Sequence, residues 1–328
     1  MLVGTFRNAR LAILILVPFI TTAVWLPSFF IETPLHLREF QMPFFKLIIL
    51  LFGLPTGLLN VFAILLISAQ AIYFNIVINN NEVLYKDTNL PALFYPLVIS
   101  FMPQLLWLHP ILFVNLIMIF TLNRIFSTYK HANPLSRFFD VGFLVAFASM
   151  FYFPAILLIF LVFASLSIMR PFVWREWVAS VIGLLLPYFF MSVYYFWIDK
   201  LEHFWIQVIP SQMTNVFSLN SFYSYVSTGV VAATAIVLIL AIIALRSNFS
   251  KNAIRTRDYQ KIVISFLFIS IIVYIITEDT FNYSIAITAI PVSVLMAYYF
   301  LTIRRKWIYE TLFVAWVIAI IFSLIKII

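Results

Sequence analysis

A cluster of ionisable residues follows the first long apolar run of the chain, in the stretch FIETPLHLREF (30–40). The cluster holds two acids, Glu32 and Glu39, together with Arg38 and His36. A carboxylate can act as a general base, and a guanidinium can bind a phosphate through two parallel hydrogen bonds. This stretch therefore combines residue types that serve proton transfer with one that serves phosphate binding.

Further candidates are charged residues close to the ends of other apolar runs. Glu278 and Asp279 stand side by side in ITEDTFNYS, and adjacent carboxylates are suited to hold a divalent cation. Lys46 and Lys200 each offer an ammonium group to a phosphate. No two of the four histidines have the i, i+4 spacing of a helical metal site. No cofactor follows with certainty from these residues, and a divalent cation (Mg²⁺ or Mn²⁺) is the one that their types suggest.

The composition indicates that lipid, and not water, surrounds most of this protein. Hydrophobic residues make up 64% of the chain and charged residues 10%, and the mean hydropathy is +1.08. Soluble domains have about 45–50% apolar and about 25% charged residues. The first apolar run lacks a small-residue cleavage site, so we expect it to stay as an anchor. The absence of cysteine excludes disulfides, cysteine-ligated metals and cysteine nucleophiles.

Apolar runs of about 20 residues predict an all-α, polytopic transmembrane bundle. We count eleven runs, at 10–30, 57–79, 91–107, 110–128, 138–152, 154–169, 177–197, 222–245, 260–277, 282–303 and 307–327. The fifth and sixth runs are short and are joined by the tripeptide YFP (152–154). The alternative is one long kinked helix there, which would give ten spans.

The distribution of basic residues favours eleven spans, with the N-terminus inside and the C-terminus outside. In that arrangement, all but four of the 20 Lys and Arg residues lie on the inner side, as the positive-inside rule requires. The four on the outer side are Arg38, Lys46, Lys200 and Lys326. The net charge of +8 is then a signal of orientation and of contact with anionic lipid, so no nucleic-acid partner is predicted. The expected location is a bacterial inner membrane.

The chain is predicted to be one membrane domain in two layers. Residues 1–197 form a seven-span module, residues 198–221 an outer loop, and residues 222–328 a four-span module. Within the loop, LEHFWIQV (201–208) has apolar residues at i, i+3, i+4 and i+7, the spacing of an amphipathic helix at the outer interface. A second surface helix is predicted in 42–57, and the alternative there is the start of a kinked second span.

Polar residues inside the predicted spans are expected to hold helices together. This group consists of Asn60, Gln70, Asn75, Gln104 and Asn115. No charged residue lies near the middle of a predicted span, which argues against ion-coupled transport and proton pumping. Asp140 is near the inner end of the fifth span, and we expect it to pair with its sequence neighbour Arg137.

Two resemblances add to this interpretation. Over roughly the first 200 residues, the chain resembles a polytopic inner-membrane family of Bacteroidota that has no assigned activity. The segments that carry this likeness are FRNAR (6–10), WLPSFF (25–30), LPALFYPL (90–97), RFFDVGFLVAFASMFYFP (137–154) and RPFVWREWVASVIGLLLPYFF (170–190). The order of a span, an acidic outer loop, a surface helix and closely spaced spans resembles the N-terminal module of GT-C glycosyltransferases, which use polyprenyl-phosphate-linked sugars.

The GT-C resemblance implies a cavity that opens outward and toward lipid. It implies that an acid of the first outer loop is the catalytic base, which is Glu32 here, with Glu39 second. Arg38, Lys46 and Lys200 would bind the carrier phosphate, and Glu278 with Asp279 would form a further acidic or metal site. Members of that family commonly have Asp in place of Glu32, and many carry a large soluble C-terminal domain that these 328 residues lack. An inactive relative therefore stays an alternative.

Two other functions are compatible with the sequence. The first is a non-catalytic membrane subunit or scaffold of an envelope assembly, which would expose an apolar groove to a protein partner. The second is a lipid or small-molecule transporter, which would show inverted repeats and broken helices at mid-depth. Membrane lipid is a partner in every case, and a polyprenyl-phosphate-linked sugar is a partner only of the transferase.

Overall fold

The computed structural model describes residues 2–30, 42–52, 55–129, 134–202, 204–205, 225–277, 283–303 and 305–325. These residues form helices and contain no β-strand. The α-helices of this part are α1 (Leu2–Phe6), α2 (Leu16–Trp25), α3 (Pro43–Phe52), α4 (Thr56–Asn80), α5 (Leu90–Ile99), α6 (Pro110–Phe126), α7 (Leu135–Ser149), α8 (Ile159–Met169), α9 (Trp174–Trp197), α10 (Tyr225–Asn248), α11 (Ile254–Ile276), α12 (Ala289–Thr302) and α13 (Lys306–Ile325).

Seven helical stretches of the described chain are long and apolar enough to cross a membrane. They are Leu11–Phe29, Gly57–Asn80, Trp174–Trp197, Gly229–Lys251, Ile254–Ile276, Tyr283–Thr302 and Lys306–Leu324. Shorter apolar helices occupy Leu90–Ile99, Pro110–Phe126 and Phe153–Met169. The all-α, multi-pass membrane class expected from the composition is thus confirmed by the length and apolar character of these helices.

The junction around YFP separates two helices. Helix α7 ends at Ser149, and a 3₁₀ helix over Phe153–Leu158 leads into α8. Both that 3₁₀ helix and α8 pack back against α7, so the chain reverses between them. One long kinked helix is therefore wrong for this part of the chain.

Helix α4 gives the bundle an axis with two distinct ends. Its 25 residues extend over about 37 Å. Near its start, Asn60 Nδ2 donates to the Ser28 carbonyl at 3.0 Å, and near its end Asn79 Nδ2 donates to the Thr88 carbonyl at 3.0 Å. We name the first the histidine end, since His109 precedes helix α6 there, which runs parallel to α4 with Phe62 beside Phe113 and Asn81 beside Asn123. We name the second the arginine end, since Arg7 is bound there.

Buried amides connect α4 to its neighbours, as their positions in the spans predicted. Gln70 Nε2 donates to the Leu112 carbonyl at 2.8 Å, and Gln70 Oε1 accepts from the Tyr95 hydroxyl at 2.7 Å. On α6, Asn115 Nδ2 donates to the Ala286 carbonyl at 2.9 Å. In lipid such hydrogen bonds contribute about 0.6 kcal/mol each to stability, and their donors have no water molecule to bind instead. They therefore determine which helices are neighbours.

At the arginine end, Arg7 fastens the N-terminal segment to the last third of the chain. Its guanidinium donates to the Leu301 carbonyl at 2.8 Å and to the Ile303 carbonyl at 3.1 Å, and it lies 4.8 Å above the Tyr309 ring. Carbonyls at the C-terminus of a helix such as α12 lack intrahelical partners and carry partial negative charge. A cation is therefore the complement that this helix end requires.

The expected pairing of Asp140 with Arg137 is wrong. Asp140 accepts from Arg124 on α6, with Nε at 3.0 Å, and Arg137 instead donates to the Ser127 carbonyl. The Asp140 side chain faces the neighbouring helix α6, whereas the Arg137 side chain faces the loop that precedes α7. The interaction remains an ion pair near a helix end, as expected, but it joins two helices.

Helices α7 and α9 pack closely because each has a glycine at the contact. A Cβ on Gly142 would overlap the Ser180 carbonyl, and a Cβ on Gly183 would overlap the Phe139 carbonyl. Small residues of this kind allow two backbones to approach in lipid, where burial of apolar area gives no driving force between helices.

Replacing either of these glycines by alanine is expected to force α7 and α9 apart. We expect Gly142→Ala and Gly183→Ala each to lower the free energy of unfolding by about 1–3 kcal/mol, the range for overpacked cores. Thermal unfolding in detergent measures this loss. Gly229→Ala in α10 is the matched control, since no atom lies within 4 Å of its Cβ. Equal stability of all three variants would contradict the packing described.

Candidate functional site

Five of the seven residues predicted to form the site lie outside the described residues. They are Glu32, Arg38, Glu39, Glu278 and Asp279. The other two, Lys46 and Lys200, are described and exposed. The described residues on either side of these five lie at the ends of helices, and all of these helix ends are at the histidine end of the bundle.

Lys200 is positioned by a Schellman motif that ends α9. Asp199 adopts a φ of 53°, its backbone N–H donates to Phe196 O at 3.1 Å, and the Lys200 N–H donates to Tyr195 O at 2.9 Å. This pair of hydrogen bonds reverses the chain after a helix. The Phe204 ring then stacks on Tyr195, with centroids 4.6 Å apart. The exposed ammonium of Lys200 therefore belongs to a rigid turn.

The predicted amphipathic helix, 201–208, begins directly after this turn. Residues 201–202 and 204–205 are helical, Phe204 is buried and Glu202 is exposed. Trp205 Nε1 donates to Ser192 Oγ on α9 at 3.2 Å. The predicted apolar face is thus turned toward α9 over the described residues, and Val208 lies outside them.

Lys46 is exposed on α3. The start of α3 packs in the same apolar cluster as the turn after α9. Met42 is buried in one apolar cluster with Met150, Phe153 and Phe204. Helix α3 covers Pro43–Phe52, within the predicted segment 42–57, so a helix there is confirmed, and α4 begins at Thr56. The location of α3 at a membrane surface stays a prediction.

A row of stacked rings joins this cluster to the start of α6. Phe44 lies 5.6 Å from Phe151, and Phe151 stacks on Phe113 at 5.2 Å. One turn before Phe113, His109 stacks on Tyr283 at 5.6 Å with an interplanar angle of 12°. We name these five rings together with Phe204 the aromatic floor. Each ring pair adds about 0.5–1.5 kcal/mol of stability beyond the burial of its area, so the ring contacts stabilise this end of the bundle.

His109 is the one imidazole of the aromatic floor. It is fully buried, and neither ring nitrogen has a hydrogen-bond partner among the described residues. Burial lowers the pKa of His109 to about 3, because the imidazolium would lose its hydration without gaining a partner. The burial of this histidine was not predicted from the sequence. The signal was present in its neighbours in LWLHPIL (106–112), which are apolar on both sides.

The arrangement combines an apolar, aromatic floor with exposed cations beside it. Lys46 and Lys200 both stand within one turn of a residue of the apolar cluster, Met42 in the first case and Phe204 in the second. Within the described chain, no group of three or more His, Asp or Glu residues could hold a metal ion. The two ammonium groups can bind an anion such as a phosphate, beside a floor whose rings are mostly buried.

The burial of His109 predicts a loss of stability in acid. In an unfolded chain the histidine pKa is about 6.5, so the unfolded state takes up a proton between pH 6.5 and 3 while the folded state does not. The stability is complete above pH 6.5 and falls as the pH drops through this window. We expect a loss of about 2 kcal/mol between pH 8 and pH 5 that His109→Phe, which keeps a ring against Tyr283, does not show. Unfolding in detergent at both pH values measures it, and an identical pH dependence of the two proteins would contradict it.

Comparison with known proteins places the chain in a family but does not supply an activity. No curated protein and no solved structure matches the sequence. Residues 27–328 match a family of unknown function, DUF6427. The match includes every element of the histidine end described above, from the end of α2 to α13. The chain is therefore a member of the DUF6427 family.

Proposed function

We propose that this protein is a GT-C-like glycosyltransferase of a bacterial inner membrane. It would move a sugar from a polyprenyl-phosphate carrier to an envelope acceptor on the outer face. The observation that carries the proposal is the common location of the described residues that border the predicted site. Met42 follows residues 31–41, Tyr283 follows residues 278–282, and Phe204 lies one turn after Lys200; all three belong to the apolar cluster or to the aromatic floor at the histidine end.

The proposal includes eleven spans, with the histidine end outside. Hydrogen bonds place successive helix ends alternately at the two ends: Trp25 with Ser100 at the histidine end, and Tyr259 with the Phe126 carbonyl at the arginine end. Of the described Lys and Arg residues, only Lys46 and Lys200 belong to the histidine end in this arrangement. The positive-inside rule then places the arginine end in the cytoplasm.

The residues of the site would divide the work of sugar transfer. An acceptor hydroxyl has a high pKa and needs a positioned base, which is the role proposed for Glu32, with Glu39 second. The leaving polyprenyl phosphate gains negative charge, which Arg38, Lys46 and Lys200 would stabilise. A divalent cation held by Glu278 and Asp279 would also stabilise this negative charge.

Replacing the proposed base is the direct test of this function. The full chain in nanodiscs is given a panel of undecaprenyl-phosphate-linked hexoses, and release of undecaprenyl phosphate is followed by mass spectrometry. We expect Glu32→Gln to lower the rate at least about 100-fold, the lower limit for loss of a general base. Asp258→Asn at the arginine end makes the same chemical change away from the site and is expected to keep the wild-type rate.

Two results would overturn the proposal. One is a rate that Glu32→Gln and Asp258→Asn change equally. The other is absence of turnover and of undecaprenyl phosphate binding for the whole panel, with a stoichiometric protein partner in the purified sample. That second result would favour a non-catalytic subunit of an envelope assembly. The observation in favour of a subunit is the exposed aromatic surface near the end of α9, where Phe189, Phe190, Tyr194, Phe196 and Trp197 all point away from the bundle.

A further inference from the structure

We infer that a groove along α13 binds an anionic phospholipid from the leaflet at the arginine end. The groove has a volume of about 920 Å³. At one end its lining includes Arg305, Lys306 and Trp307, and at the other it includes Val314, Ala315 and Ile318. Positive charge is thus found at one end of the groove and apolar surface at the other, which is the complement of an acidic lipid.

The charged end has the features of a headgroup site. Arg305 and Lys306 are both exposed at the start of α13, and the Trp307 side chain beside them is 70% exposed. Tryptophan prefers the depth of lipid headgroups, where its ring is apolar and its N–H is polar. Basic residues near a membrane surface attract anionic headgroups, and pockets of basic residues between or along helices bind lipid phosphates.

The length of the groove matches one leaflet. From Arg305 to Ile318 the helix rises about 20 Å, and half of a bilayer with its headgroups is also about 20–22 Å thick. The small side chain of Ala315, between the exposed Val314 and Ile318, leaves room for an acyl chain against the helix. A free phosphate would use only the first turn of this surface, so the apolar part favours a lipid.

An acid in the groove restricts which lipid headgroups are complementary to it. Glu310 lines the groove one turn below the cations, and its Oε1 accepts from the Gly4 backbone N–H at 3.4 Å. A headgroup with hydroxyl donors as well as a phosphate complements this combination of charges. Phosphatidylglycerol has both groups, and we therefore choose it as the ligand.

This inference is independent of the transferase proposal, since it concerns the opposite end of the bundle. Native mass spectrometry of the full chain, titrated with phosphatidylglycerol or phosphatidylcholine, gives the two affinities. We expect phosphatidylglycerol to bind more tightly, and the double variant Arg305→Gln/Lys306→Gln to weaken it about 30-fold. The matched control, Lys251→Gln/Lys261→Gln, removes two positive charges outside the groove and should leave the affinity unchanged.

A second variant tests the apolar half of the groove. Ala315→Trp fills the space for the acyl chain without a change of charge, and we expect it to weaken binding of phosphatidylglycerol while the protein keeps its thermal stability. Inorganic phosphate should not displace the lipid. Equal affinities for the two lipids, an equal loss in the control pair, or displacement by inorganic phosphate would each overturn the inference.

Discussion

Hydrocarbon offers no hydrogen-bond partner, and this constraint determines how the helices of the protein are arranged. Buried polar groups are therefore expected to find partners inside the chain, and His109 is an exception among the described residues. The amides of α4 do so by binding the segment before α3, the carbonyls of α6 and the loop before α5. Arg7 meets the same requirement at the arginine end by binding the open carbonyls after α12. The neighbours of each helix follow from these few directional contacts, because apolar packing alone would accept many arrangements.

The same constraint confines charged groups to the two ends of the bundle. At the arginine end, cations are plentiful and are held by carbonyls, rings and a few acids, as Arg124 is by Asp140. At the histidine end, the described cations are few and the rings of the aromatic floor are mostly buried. A reaction at that end has to take its charges from segments that leave the aromatic floor. This is why the proposed catalytic acids and the rings that position them are contributed by different parts of the chain.

Hydropathy and charge were sufficient to predict the helices but not their partners. Each of the eleven predicted spans starts or ends within a few residues of an observed helical stretch, because a run of apolar residues has one stable conformation in lipid. The role of Asn60, Gln70 and Asn115 was also predictable, since a polar side chain at such a depth needs a partner. Which partner it finds depends on helix rotation, and for that reason the expected pair of Asp140 with Arg137 was wrong.

The burial of His109 could not be predicted either, because it depends on Tyr283, which is distant in sequence. For the same reason the contact of Gly142 with Ser180 becomes visible only in the packed structure. The predicted roles of Glu32, Glu39, Arg38, Glu278 and Asp279 remain predictions. For Lys46 and Lys200, the structure adds exposure and a rigid anchor, which are necessary for phosphate binding and are compatible with other roles.

The central claim is that the two segments with predicted acids and the turn with Lys200 share one membrane face, opposite the arginine end. The chain has no cysteine, so single cysteines can be introduced and labelled one at a time. In right-side-out vesicles, an impermeant maleimide is expected to label cysteines at His36, His203 and Asn282 directly. It should label cysteines at Lys251 and Lys306 only after the membrane is permeabilised, and all five should react in detergent. Protection of any of the first three, or direct labelling of either of the last two, would contradict the account.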